Sequence, residues 1–420
     1  MSLGRLGARP TARRPQLKRQ PRDSTRQHVP DYRLLIYMTL LLGLGAITVY
    51  SISPGIAAST GLSENYYSFK QLVAIGLGSA LFLVASVVKV SAWKKFQIPL
   101  IVATMISIVL VRFLGDPING AYRWLDIGGL SFQVAEIIKF TLILGLASYL
   151  GSMKQQQRMG ESSTMKTLGI VMVLIVIVVA GLESDLGSAV VMVSIIGFMA
   201  FVAGLPFRKL FLASTVVMII MLSAIAISPY RRDRVSTFLN PTADCQNEGY
   251  QACQALITVG SGGLLGKGLG RSVQAYGYLP EAANDSIFAI VSEKFGFIGA
   301  TLTIGVFIGL FRRIKSVAQR ASNEYSRLMV SGILAWLSVQ MAINVGAMIG
   351  LLPLKGITLP FVSYGGTSVI FVMIAVGIVF QISRYTDLSK PSRARRNSGK
   401  SSFNESAVSR HSTNRKWGRA

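Results

Sequence analysis

Histidine is almost missing from this chain. Its two copies, His28 and His411, sit in charged terminal stretches, away from every long apolar run. Histidine-based catalysis within the apolar body is thereby excluded, and no Cys/His spacing of a metal site is present. Cysteine is as sparse, with two residues, Cys245 and Cys253, in one segment. Acidic residues are few, 18 against 43 Lys and Arg, and all charged residues together make up 15%. A soluble domain carries about a quarter. A water-soluble fold around one core is therefore excluded. What fills the chain is apolar: 51% of residues, grouped in runs that approach or exceed the length of a bilayer crossing.

The expected fold class is an all-α integral membrane protein, a polytopic bundle of ten transmembrane helices. The spans are expected near Leu34–Ile52, Gln71–Val88, Phe96–Leu114, Phe132–Leu150, Leu168–Leu182, Leu186–Gly204, Leu210–Ser228, Ser286–Phe311, Leu328–Leu352 and Ser368–Ile382. The first run follows a long basic tail and is too long for a signal-peptide core, so it reads as a retained helix. Glu183-Ser184-Asp185 leaves room only for a tight hairpin between the fifth and sixth spans.

Lys and Arg set the orientation. With the N-terminus inside, the inner segments hold Arg33, Lys94, Lys95, Lys154, Arg158, Arg208, Lys209, Arg312, Arg313 and Arg327, among others, and few basic residues remain outside. Both termini are expected in the cytoplasm. The net charge of +25 then reads as a topology signal and an attraction to anionic membrane lipid, in preference to nucleic-acid binding. The organisation is a basic disordered tail at 1–31, a membrane domain at 32–388 with a large extracytoplasmic loop at 229–285, and a second basic tail at 389–420.

The unusual residues gather in the outer loops. Arg123 precedes the fourth span, which carries Gln133, Glu136 and Lys139. Glu136 and Lys139 are three apart and share a helix face. They form either an internal ion pair or, with Arg123, a cationic pocket for a phosphate-bearing ligand. The glycine run Gly260–Gly270 lacks the P-loop pattern, since Ser261 stands at the first required glycine and no Ser or Thr follows Lys267. Its glycines suit tight turns or close helix approach. Asp285 ends the loop at the start of the eighth span, as a helix cap, a base at a cavity edge, or both. Glu293 and Lys294 are expected to neutralise each other or to face the bundle interior. The turn Pro353–Thr367 is a re-entrant connection or a substrate-facing wall. Asn344 is a buried polar group that needs a partner. Cys245 and Cys253 share an outer loop, which favours a bridge over two free thiols.

The blocks GAYRWL, FQVAEIIK, SDLGSAVV, YQACQALITVGSGGLLGKGLGRS, YLPEAANDSIFA and NVGAMIGLLPLKGITLPFVSYGGTS occur in this order between Tyr32 and Leu388. Together they resemble the FtsW/RodA/SpoVE (SEDS) family of peptidoglycan glycosyltransferases. The Lys-Gly-Ile-Thr-Leu-Pro form of the last block resembles the division branch. The resemblance implies polymerisation of lipid II at the outer face of a bacterial cytoplasmic membrane. Its implied partners are a class B penicillin-binding transpeptidase and other divisome proteins, at the division septum. It places the essential carboxylate on Asp285, as general base. Arg123, Glu136, Lys139, Gln133, Glu281, Lys355 and Ser363 are the expected substrate-binding residues. No cofactor is required; a divalent cation, Mg2+ or Mn2+, could share the neutralisation of pyrophosphate, and its ligands are unknown. The chain departs from the family pattern at Ala283-Asn284 (His-Thr), Ser286 (Phe), Val134-Ala135 (Pro-Ser) and Lys294 (Glu). The competing readings are a lipid II transporter and an elongation-type polymerase.

Overall fold

A computed structural model describes residues 28–386, apart from 116, 119–120, 128–129, 184, 228–231, 233–235, 237, 239–244, 248 and 275. Both expected tails, save for residues 28–31, lie outside the described residues.

Leu-, Ile-, Val- and Ala-rich runs have one solution in lipid, where backbone amides find no water: helices that satisfy their own hydrogen bonds. The helices are α1 (Tyr32–Thr60), α2 (Tyr66–Val87), α3 (Val90–Leu114), α4 (Val134–Gln155), α5 (Ser162–Ile175), α6 (Leu186–Ala203), α7 (Phe207–Ile227), α8 (Tyr250–Ser261), α9 (Ile287–Arg320), α10 (Glu324–Met348) and α11 (Gly366–Ser383). A π-helical turn, Val176–Leu182, extends α5. Among the described residues nine helices are long and apolar enough to cross a membrane. At the place of the seventh expected span, α7 forms a helix of 21 residues.

Short polar side chains start several helices. Asp185 accepts from Ser188 N at 3.0 Å and from Ser188 Oγ at 2.7 Å at the start of α6. Asn323 accepts from Ser326 N at 2.7 Å at the start of α10. Each satisfies backbone donors that the helix itself leaves open.

The most buried helices, α4, α6, α10 and α11, form the centre. There α10 packs on α4, α6 and α9, while α2 lies along α11. At one end of the bundle Asp31 knots three helices together. It pairs with Arg313 at 2.6 Å, and its backbone N–H donates to Ser383 Oγ at 3.0 Å.

Three features at the other end differ from a plain loop reading. Two antiparallel hairpins occupy the segment before α4: Pro117–Ile118 with Ala121–Tyr122, and Trp124–Ile127 with Leu130–Gln133. They delay the helix to Val134, two residues past the expected start. The large loop contains α8, which packs on α9 and α10. Finally, α9 is broken at Gly296 (φ 67°, ψ −168°). That break is where Gly266 (φ 84°) reaches the helix backbone. A Cβ at Gly266 would lie 2.2 Å from Lys294 O, so no side chain fits.

The glycine run is thus a close-packed strap. Glu293 fastens it, accepting from Lys267 Nζ at 3.1 Å, from Val273 N at 3.3 Å and from Ser272 Oγ. Lys294 Nζ donates to Leu269 O at 2.8 Å. Glu293 and Lys294 therefore face the bundle and the strap, and each is joined to the strap by its own bonds. Neighbours in a helix point about 100° apart and do not face one another.

Cys245 and Cys253 are joined, with Cα atoms 5.5 Å apart, across the first turn of α8. Chain entropy gives a loop this short about 2.5 kcal/mol of stabilisation. Cys253→Ser is expected to raise amide exchange at the start of α8 and leave α10 unchanged. Equal exchange in both helices would show that the bridge does not hold α8.

Candidate active site

Four segments meet at this end of the bundle: Arg123 between the hairpins, the Glu183–Asp185 turn, the start of α9, and the irregular turn Pro353–Gly365. The turn carries two prolines and several hydroxyls, and its backbone groups bond across to the other segments.

Asp285 is buried, and its Oδ1 stands 3.4 Å from Ser286 Oγ. The cap position of α9 belongs to Ser286, one residue later than expected, and no Ser286 side-chain cap bond forms. Its hydroxyl turns back to Pro280 O at 3.0 Å. The backbone leading to Asp285 is pinned on every side. Asn284 N and Ser286 N donate to Glu281 O at 3.0 and 3.1 Å, and Tyr364 N donates to Ala283 O at 2.8 Å. Ser363 Oγ donates to Asn284 O, and Asn344 Nδ2 donates to Asp285 O at 2.7 Å.

Asp285 and Arg123 converge over Gly356. A methyl group placed on Gly356 would sit 3.6 Å from Asp285 Oδ2 and 3.9 Å from Arg123 Nη1. Gly356 has φ 61°, which a side chain would strain. The missing side chain keeps an acid and a guanidinium facing one small space. Arg123 Nε donates to Glu183 O at 3.2 Å, and Arg123 O accepts from Val134 N at 3.3 Å. The residue is thus fixed between the hairpin, α4 and the α5–α6 turn. Across the same space, a Cβ on Gly187 would lie 2.9 Å from Lys355 O, so α6 abuts the turn directly.

Lys139 lies deeper. Its Nζ donates to Glu136 Oε1 at 2.8 Å and to Gln340 Oε1 at 2.9 Å, and it stands 5.1 Å from the Trp336 ring centroid. Gln340 Nε2 then reaches Thr358 O at 3.0 Å and Thr358 Oγ1 at 3.2 Å. Lys139 and Glu136 are therefore the expected ion pair, joined to the turn through Gln340.

The remaining sequence candidates divide. Lys355 precedes Gly356, and its carbonyl lies against Gly187 of α6. Ser363 is buried, with Leu359 N donating to its Oγ at 2.7 Å, and it holds the turn to Asn284. Glu281 closes the turn before Asp285, with φ 51°, and its Oε2 accepts a hydrogen bond from Asn284 Nδ2. Gln133 is buried at the foot of α4, where its backbone N–H donates to Thr367 Oγ1 at 3.1 Å. Among the described residues no group of three or more His, Cys, Asp or Glu could hold a metal ion.

Glu183 was singled out from sequence only as part of a hairpin. It is buried, and neither carboxyl oxygen has a hydrogen-bond partner. Burial pushes its carboxyl up to about 8; Asp185 adds to the rise and Arg123 opposes it. A folded-state value above the unfolded one means stability that is full at low pH and lost as pH rises through about 8. Glu183→Gln, which imitates the neutral acid, is expected to melt like the wild type near about pH 5 and a few degrees higher near about pH 9. An identical difference at both pH values would remove the ionisation of Glu183 from the account.

A family model described as a cell cycle protein, FtsW/RodA/SpoVE, matches residues 32–388. The probable peptidoglycan glycosyltransferase FtsW of Coxiella burnetii is 37% identical over 365 residues, 85% of this chain and 97% of that one. Stage V sporulation protein E of Bacillus subtilis is 35% identical over 366 residues, 86% and 99% of the two chains. A solved structure described as the structural coordination of polymerization and crosslinking by a peptidoglycan synthase complex is similar at a TM-score of 0.70. It is 27% identical and covers 86% of this chain and 99% of that one. The rod shape determining protein RodA of Thermus thermophilus gives a TM-score of 0.62 at 26% identity, with the same coverage.

Fold and site define a polytopic helical membrane protein in which a buried acid and a guanidinium converge at one end of the bundle. The chain belongs to the FtsW/RodA/SpoVE family.

Proposed function

We propose that this chain is a peptidoglycan glycosyltransferase that polymerises lipid II at the outer face of the cytoplasmic membrane during cell division. The observation that carries this reading is the convergence of Asp285 Oδ2 and Arg123 Nη1 on the space that Gly356 leaves open. A base and a cation are what the reaction needs on either side of one carbon. Asp285 takes the proton of the acceptor sugar's 4-hydroxyl as that oxygen attacks the anomeric carbon of the donor. The new glycosidic bond forms while the bond to the lipid pyrophosphate breaks. One displacement inverts an α-linked donor into a β-linked product. The pyrophosphate leaves with the bonding electron pair, and Arg123 offsets the charge that develops on it. Lys139 supports the turn through Gln340. Asp285 returns its proton to water.

Three further parts complete the reading. Both termini lie in the cytoplasm, as the Lys and Arg distribution favours. The basic tails contact anionic lipid. A class B penicillin-binding transpeptidase accompanies the chain at the septum and cross-links the strands. Support comes from the relatives that carry the name peptidoglycan glycosyltransferase FtsW, and from the likeness to a synthase complex that coordinates polymerization and crosslinking.

The test is a gel of products from lipid II in detergent, with the purified chain and its transpeptidase. A ladder of glycan strands is expected. Detergent offers no second leaflet, so a transporter would leave lipid II unchanged, and that result would end the polymerase reading.

A further inference from the structure

We infer that Asn344 is a positioning residue that sets where the Asp285 carboxylate stands, by clamping its backbone to the turn that carries Gly356. The inference rests on the polymerase reading above. Asn344 lies deep in α10, 2% exposed, in a helix that is otherwise largely apolar. Its amide nitrogen donates to two backbone carbonyls, Asp285 O at 2.7 Å and Ile357 O at 2.7 Å. These belong to segments far apart in sequence, one leading into α9 and one in the Pro353–Gly365 turn. Both amide hydrogens are thereby used.

The orientation of the amide follows from chemistry. Both neighbours are carbonyls, which only accept, so a flipped amide would set oxygen against oxygen. The amide oxygen of Asn344 is buried and has no hydrogen-bond partner. A side chain that leaves its acceptor empty in the interior, while both donors are engaged, is held there for the donors.

The clamp acts on the site geometry directly. Ile357 follows Gly356, where a Cβ would lie 3.6 Å from Asp285 Oδ2 and 3.9 Å from Arg123 Nη1. Bonding Asp285 O and Ile357 O to one nitrogen sets the spacing between the base and the floor of the cleft. Gln340, one turn earlier on α10, bonds the next residue of the turn through Thr358 O at 3.0 Å. Two amides at i and i+4 thus share one helix face and hold consecutive residues. Tyr364 N and Ser363 Oγ hold Ala283 O and Asn284 O from the turn itself. Asn344 is the tie that reaches Asp285 from α10.

Asn344→Leu keeps the size and removes both donors. Polymerisation rate against lipid II concentration, with the transpeptidase present, is expected to show kcat lowered on the order of 100-fold, the loss typical of a reacting group displaced by about an ångström. KM is expected to stay near the wild-type value, and melting to stay cooperative. Asn344→Gln, which restores the donors on a longer arm, is expected to recover part of kcat. Asn344→Ala replaces the leucine variant should that one fail to fold, because it too offers no donor and is smaller. Wild-type kcat in the folded Leu or Ala variant would overturn the inference. So would a loss of kcat matched by an equal weakening of substrate binding, or a Gln variant no better than Leu. A wild-type protein that makes no polymer would instead reject the polymerase reading itself, so the two failures are distinguishable.

Discussion

Asp285→Asn is expected to slow strand synthesis sharply while leaving lipid II binding in place. Removal of a general base is worth 10²–10⁴ in rate, and the loss expected here is about 10³-fold, about 4 kcal/mol of barrier. The substitution keeps size and backbone bonds. Asn284 N, Ser286 N, Tyr364 N and Asn344 Nδ2 all bond main-chain oxygens in this segment, none of which changes. What changes is a carboxylate that accepts a proton into an amide that does not. Initial rates from a glycan ladder, together with binding of lipid II to the same preparation, separate chemistry from affinity. Polymerisation near the wild-type rate would remove Asp285 as the base.

Arg123→Gln has the second largest effect. Arg123 Nε is held on Glu183 O, and its Nη1 lies 3.9 Å from where a Cβ on Gly356 would stand. A charge stabiliser aimed at a leaving pyrophosphate acts mostly in the transition state, so kcat/KM is expected to fall on the order of 100-fold. Lysine restores charge but not the planar fork, and Arg123→Lys is expected to recover only part of the rate. The same substitution removes the positive charge that opposes the rise of the Glu183 carboxyl. The Gln variant should therefore hold the Glu183 proton to higher pH than the wild type. Unchanged kcat/KM in Arg123→Gln would place the leaving group elsewhere.

The bundle was legible in the sequence because the bilayer imposes one rule on every apolar run. Spans from Leu34 to Ile382 fall where helices form, with ends off by up to nine residues, the largest difference being Phe311 against Arg320. The exceptions are polar in origin. Phe132 lies in a strand because Trp124–Ile127 pairs antiparallel with Leu130–Gln133, and the Gly-Gly pair between them in the sequence is a hairpin signal that a membrane-span reading passes over. The break at Gly296 was hidden inside one long apolar run, since only the approach of Gly266 reveals why it exists. Residue types singled out Arg123, Asp285 and the Pro353–Gly365 turn, and the fold brings these three together. Partnership could not be read. Ser363 is buried in the turn, Glu293 binds the glycine strap, and Glu183 and Gln340 entered only through contacts between residues far apart in sequence. The spacing of Gln340 and Asn344, two amides one turn apart in an apolar helix, is the one sequence signal that would have found the clamp.

Reconstitution in vesicles tests the central claim most directly. The protein inserts in both orientations, and protease accessibility of the basic tails reports which is which. Lipid II is then supplied to the external leaflet alone. The account predicts glycan strands from vesicles whose tails are protected inside, and none from vesicles whose tails are exposed. Strands made by the inverted population, or lipid II carried across the bilayer with no strand formed, would contradict it.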